Sequence, residues 1–247
     1  VSWRIIFWAS AVYGLGCGGL VLWVLPETLP YQKRQSLSPM TLLTRYVGLL
    51  GDRGYSIYAL ITAFSTFMTF SYLTAAPFVF VQLFHFSPLH FSMLFGGMSV
   101  FMIGASQVNG LLVGRVDPAR LLHGAVALSV LGTVLMVGVS VWGCWYAPVA
   151  YRPYEVWLVI GTMVIALAPT GIIFPNAMMM ALADHPAQAG AASALAGTLQ
   201  YVLGALAGVL VGQFAATSSL PMAGCMGFGA LMMLCMHTFR PALHDVA

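Results

Sequence analysis

Charge is what this sequence has least of. Only 6% of its 247 residues are Asp, Glu, Lys or Arg, while 60% are hydrophobic. Soluble domains carry roughly 25% charged residues, so this chain has too little polar surface to meet water on all sides. The deficit excludes a sizeable water-soluble domain and makes lipid the solvent. The net charge of +3, from nine Lys/Arg and six Asp/Glu, is too weak and too dispersed for a nucleic-acid surface. Cysteine is scarce as well. Cys17, Cys144, Cys225 and Cys235 form no CxxC pair and stand at no metal-ligand spacing from histidine, so neither a metal nor another cofactor is expected. Three of them fall in apolar runs, where thiols act as small hydrophobes. Cys144 reads as a free thiol in an outer loop. A charged n-region with a small-residue cleavage site is lacking too, so the apolar start at Val1 is not a signal peptide. It reads as an unusual start or as part of something longer.

What is present is a series of long apolar runs. A membrane-spanning helix needs roughly 20 apolar residues, whereas a transmembrane β-strand is about 10 residues long with alternating polarity. The runs here are long and continuous, which predicts an all-α bundle of seven spans. The expected spans are residues 5–25, 55–83, 91–113, 121–142, 156–182, 188–214 and 222–239. Residues 31–54 form the most polar segment. Within it Met40, Leu42, Leu43, Tyr46, Val47 and Leu50 recur at helical spacing, which predicts a short amphipathic helix on the membrane face; an irregular linker is the alternative. Residues 143–153 read as a loop with Trp145, Tyr146 and Tyr151 near Tyr154, an interfacial aromatic cluster. Lys33, Arg34, Arg45, Arg53, Arg115, Arg120 and Arg240 fall on one side of the membrane, and only Arg4 and Arg152 on the other. The bias places the amino end outside and the carboxyl end inside.

Setting the first span aside leaves six, in two sets of three. The first helix of each set carries a proline about 20 residues in, Pro77 and Pro175. Inverted three-plus-three repeats with interrupted helices in matching positions mark transporters.

No ionisable residue falls near the middle of a span, so a proton relay, voltage sensor or retinal lysine has no candidate. What remains is uncharged. Gln107 and Asn109, Asn176, and Gln200 lie in spans three, five and six. A buried amide needs hydrogen-bond partners, so each faces another helix or a watery cavity. For Asn176 and Gln200 a ligand cavity and interhelical bonding are equally consistent; Gln107 and Asn109 fit bonding better. Rings and thioethers are dense in Phe64, Phe67, Met68, Phe70 and Tyr72, and again in Met178 to Met180, which suits either a promiscuous apolar pocket or plain packing bulk. Tyr72 stands out because its hydroxyl needs a partner. Gly204, Gly208 and Gly212 form overlapping GxxxG motifs for close helix packing, within the chain in preference to a dimer.

Several segments carry a resemblance. Trp3 to Trp8 leading to Leu25-Pro26-Glu27-Thr28-Leu29, Tyr72-Leu73-Thr74-Ala75-Ala76-Pro77-Phe78-Val79, Phe174-Pro175-Asn176-Ala177, and Gly190 to Leu195 followed by Gln200-Tyr201 resemble the carboxyl-terminal half of a major facilitator superfamily transporter. The match is to its bicyclomycin-resistance and chloramphenicol-type drug-efflux subgroup. The resemblance implies residues 1–30 as a sixth helix, 31–54 as a cytoplasmic linker, and 55–247 as a six-helix half of a twelve-helix transporter. It implies proton-coupled efflux of small amphipathic drugs across a bacterial inner membrane, with cavity-lining roles for Tyr72, Asn176 and Gln200. Gly110 to Arg120 stands where the family has a weak copy of its Gly-x-x-x-Asp-Arg gating loop; here the order is Arg115-Val116-Asp117. The family's coupling acid belongs to an amino-terminal half that this sequence does not contain, so that half is the expected protein partner, with lipid, drug and protons as the others. A seven-helix receptor, which lacks its lysine and switch motifs here, and a non-transporting remnant are the alternatives. An enzyme would need a buried nucleophile, base or metal cluster, and none is present.

Overall fold

The structure, a computed structural model, describes residues 3–26, 38–145, 152–214 and 218–239. Every regular element among them is helical. The chain divides into two units, Val1–Leu42 and Leu43–Ala247. The first holds α1 (Arg4–Val24), an apolar helix with no buried side chain. Its residues Trp3 and Phe7 meet edge to face.

The amphipathic helix expected in the polar segment is α2 (Pro39–Gly51). Leu43, Val47 and Leu50 form an exposed apolar stripe, while Leu49 is buried. The Asp52 carboxylate accepts from the Tyr55 N–H at 2.9 Å and caps α3 (Arg53–Ala76), a standard helix start. At Pro77 the helix widens into a π-helix, Pro77–Leu83. Ser87 caps α4 (Pro88–Leu112), with Pro88 in the first turn. Then follow α5 (Pro118–Trp145), α6 (Arg152–Leu167), α7 (Thr170–Ala183), a 3₁₀ turn at Pro186–Gln188, α8 (Ala189–Gln213) and α9 (Leu220–Thr238). Counting α3 with the π-helix, α6 with α7, and the 3₁₀ turn with α8, seven described segments are long and apolar enough to cross a membrane.

Three expectations need correction. Cys144 is not in a loop but in the last turn of α5, exposed and free. Two members of the expected aromatic loop are helical, Trp145 in α5 and Tyr154 in α6; Tyr146 and Tyr151 lie outside the described residues. The second interrupted helix does not break at Pro175, which sits inside α7. It breaks at Ala168 and Pro169.

The reason is local. Pro169 has no N–H for the Ile165 carbonyl, and the residue before a proline is pushed out of helical geometry. The freed carbonyls at the break find hydroxyls. Ser129 of α5 donates to the Ala166 carbonyl at 2.6 Å, and Thr170 donates to the Leu167 carbonyl at 2.6 Å. Re-satisfaction of this kind is what permits a broken helix in hydrocarbon. Gly132 lets α5 approach closely enough, since a Cβ there would collide with the Ala166 backbone.

In the second unit the major contacts cross between triplets. With α3, α4, α5 as the first triplet and α6–α7, α8, α9 as the second, α3 packs on α8, α9 and α7, α5 packs on α6, α7 and α9, and α4 packs on α7. Exchanging the triplets maps the first helix of each onto the second and third helices of the other, as an interlocked repeat requires. Small residues and methionines are prominent in the seams, beside larger side chains such as Ile61, Phe67 and Leu122. Ala59, Ala63, Ala166, Ala177, Ala196, Met68, Met136, Met163, Met226 and Met233 are all fully buried. Lipid gives no hydrophobic drive to helix pairing, so close packing of small residues takes its place.

Candidate functional site

The uncharged polar residues singled out above are held by four helices. Asn176 of α7 is buried. Its side-chain N–H groups donate to Asn109 Oδ1 of α4 at 2.6 Å and to the Ile172 carbonyl at 2.7 Å. Gln200 of α8 donates through Nε2 to Thr62 Oγ1 of α3 at 3.2 Å, and Thr62 passes its own proton to the Ala59 carbonyl at 2.7 Å. Each amide bond ties the second helix of one triplet to the first helix of the other. Both amides are thus bonded between helices. Gln107, two residues before the buried Asn109, is exposed on another face of α4.

Tyr72 of α3 differs from these. It is 3% exposed and stacks on Phe95 of α4, with ring centroids 6.1 Å apart and planes 22° apart. Its hydroxyl is buried with no hydrogen-bond partner among the described residues. A buried hydroxyl without a partner costs roughly 1–3 kcal/mol, so this is the least satisfied of the expected cavity residues. It lies five residues before the π-helix, and such local widening often marks functional segments. Phe64 is not brought to this group. It points to α9, edge to face with Phe228 at 6.5 Å.

The glycine series of α8 faces α3. A Cβ on Gly204 would press on the Phe70 ring at 3.0 Å, and one on Gly208 would touch Thr74 Oγ1 at 3.4 Å. Gly212 has open space and lines a cavity of about 230 Å³ with Thr74, Phe78, Val79, Phe214 and Met222. In the turn before α5, Gly114 takes a left-handed φ of +82° and the Asp117 carboxylate accepts from the Ala119 N–H at 3.2 Å. Gly110 belongs to α4, and the turn that carries Arg115 and Asp117 follows Val113, where the third span was expected to end.

Among the described acids, bases and histidines, Glu155 and His237 are buried, both at helix ends. Where α3 begins, Asp52 faces His185 at 3.6 Å and His123 Nδ1 lies 3.0 Å from His237 Nε2, tying α5 to α9. At the opposite end of the bundle Glu155, in the first turn of α6, is 6% exposed. Ser219 Oγ lies 3.4 Å from its Oε1 and 2.9 Å from Ser140 Oγ. Sequence reading missed these pairings. Nothing local signals the Asp52 and histidine pairings; Ser140, a hydroxyl in the apolar run of α5, is the one trace of the Glu155 cluster.

Interlocked triplets, a broken helix, paired amides and the absence of mid-span charge describe a transporter-like half-bundle. A family model described as Major Facilitator Superfamily matches residues 1–209. The chain belongs to the Major Facilitator Superfamily. Two curated proteins are similar to it. One is an uncharacterized MFS-type transporter, YdgK, of Bacillus subtilis, 29% identical over 225 residues that cover 91% of this chain and 53% of the relative. The other is a bicyclomycin resistance protein homolog of Haemophilus influenzae, 27% identical over 91% of this chain and 54% of the relative. The chain spans about half the length of these relatives. No solved structure matches it.

Proposed function

We propose that this superfamily chain is the substrate-cavity half of a multidrug efflux transporter, working in a bacterial inner membrane by proton-coupled antiport. The similarity to a bicyclomycin resistance protein homolog carries the reading. The site supports it. A stacked tyrosine with an unused hydroxyl and a set of amides without charge suit neutral amphipathic drugs. Tyr72 takes a hydrogen bond from the drug or gives one to it, and Phe95 gives it a flat apolar wall. Asn109, Asn176, Gln200 and Thr62 hold the helices that carry the wall. Residues 1–30 supply a sixth-helix equivalent and 31–54 a cytoplasmic linker. The coupling acid belongs to an amino-terminal half that completes the transporter as its partner. The amino end faces outward and the carboxyl end the cytoplasm.

The test is drug or dye efflux from cells. Cells that make this chain alone are expected to show no efflux dependent on the proton gradient. Co-expression with the amino-terminal half of a similar transporter is expected to restore it, and Tyr72→Phe in that pair to weaken it by about fivefold to tenfold, the worth of one hydrogen bond of ~1 kcal/mol or slightly more. Gradient-dependent efflux by the chain alone would sink the coupling assignment.

A further inference from the structure

A groove larger than the cavity beside Gly212 lies on the flank of the second unit, on the other side of Ile172 from the Asn176 amide. Although α4 and α5 follow one another in sequence, both pack on α6 and α7 and not closely on each other. Between them opens a groove of about 460 Å³ over the proline break. Leu121, Leu128, Ile165 and Ile172 wall it, and Gly124 leaves its middle open. Leu128 and Ile165 are 47% and 37% exposed, so the groove opens sideways onto the apolar flank.

Among its lining residues one is polar, Arg120, and it stands at one end. From Arg120 to Leu128 the groove follows α5 for about 12 Å, at 1.5 Å per residue. Arg120 is exposed in the first turn of a 28-residue helix, whose N-terminal end adds partial positive charge. Asp117, the nearest acid in the chain, has a carboxylate oxygen engaged by the Ala119 N–H. The result is an apolar trough with a cationic end. A soluble anion has no use for the apolar walls, and a neutral drug has none for the cation. An amphiphile with an anionic head and an acyl tail uses both. Basic pockets between membrane helices are known to take such head groups.

We propose that this groove binds an anionic phospholipid of the surrounding leaflet, with the phosphate on Arg120 and one acyl chain along α5 past Gly124. The lipid holds α4 and α5 apart at the break in the α6–α7 helix.

Native mass spectrometry of the full chain, released from bilayers that contain phosphatidylglycerol and phosphatidylcholine with identical chains, tests this directly. Phosphatidylglycerol is expected to be retained preferentially. Arg120→Gln is expected to abolish the preference, lowering phosphatidylglycerol adducts about fivefold, as one cation near a head group contributes. Gly124→Leu places its Cβ where no atom lies within 4 Å and extends the side chain into the groove, so it is expected to keep the fold and to lower both lipid adducts together. A photo-crosslinking side chain in place of Leu128 is expected to label lipid. Equal retention of the two lipids by the unaltered chain overturns the proposal. So does undiminished phosphatidylglycerol binding by both variants, and so does crosslinking of position 128 to protein in place of lipid.

Discussion

At the scale of single residues, the four amides do not sort as the sequence suggests, which left Asn176 and Gln200 open between cavity and bonding and favoured bonding for Gln107 and Asn109. Asn109 and Asn176 are bonded to one another across α4 and α7, and Gln200 reaches Thr62, while Gln107 is exposed. A double-mutant cycle on Asn109→Ala and Asn176→Ala, read from unfolding in mild detergent, is expected to give a coupling of roughly 0.6 kcal/mol, and no more than about 1.7. A coupling of zero would mean that the two side chains do not meet. Gln107→Ala is expected to leave stability within about 0.5 kcal/mol of the parent, as for surface changes generally. The amides were legible because a polar group in an apolar run is conspicuous. Their partners were not, because the bond from Asn176 closes a separation of 67 residues, and nothing local records such a pairing. Tyr72 was legible for the same reason as the amides, and its missing partner was not. Glu155 reads as an ordinary helix-end charge; its place against α5 depends on Gly143, where any Cβ would collide with the Glu155 carboxylate, and the sequence does not record that fit.

The element scale shows where proline reading fails. Two prolines in the fifth span compete to break it, and the one with the more obvious motif, Pro175, loses. It sits in the second turn of α7, where it deprives only the Gly171 carbonyl of a helical partner. Pro169 comes first and has the support it needs from a neighbouring helix. That support can be measured. Ser129→Ala leaves the Ala166 carbonyl without its 2.6 Å donor, at an expected cost of roughly 1–3 kcal/mol in unfolding experiments. Gly132→Val drives a side chain into the α6 backbone and is expected to cost at least about 1–3 kcal/mol, the range for overpacking. Gly138→Val on the same helix, where nothing lies within 4 Å, is the matched control and is expected to be tolerated, since a β-branched residue costs little on an open helix face. Equal tolerance of Gly132→Val and Gly138→Val would contradict the close approach of α5 to the break. Helix starts were legible to within a few residues, because Asp52, Ser87-Pro88 and Asp117-Pro118 are local signals.

The second unit as a whole follows an alternation the sequence makes plain, in which long apolar runs are joined by short polar turns. Which helices touch is a property of the assembled repeat and is invisible to periodicity. The sidedness proposed from the arginine bias is testable through the thiols. Cys144 is free and exposed in the last turn of α5, and a membrane-impermeant maleimide is expected to label it in intact cells. Asp117→Cys, at the opposite end of that helix, is expected to react only after the membrane is opened. The reverse pattern would invert the topology.

The cross-packing of the triplets also constrains the order in which the molecule can be made. When α3, α4 and α5 have left the ribosome, the surfaces that will cover them do not yet exist. Asn109 has no Asn176 to meet, Ser129 has no carbonyl to cap, and Gly132 is an empty notch. The first triplet must therefore wait in the bilayer as loosely associated helices until the second arrives, during which time its polar side chains are open to insertases and to the proteases that clear orphaned membrane segments. Chains stopped after α5 are accordingly expected to be short-lived, and assembly to become irreversible only when α9 closes against α3 and α5.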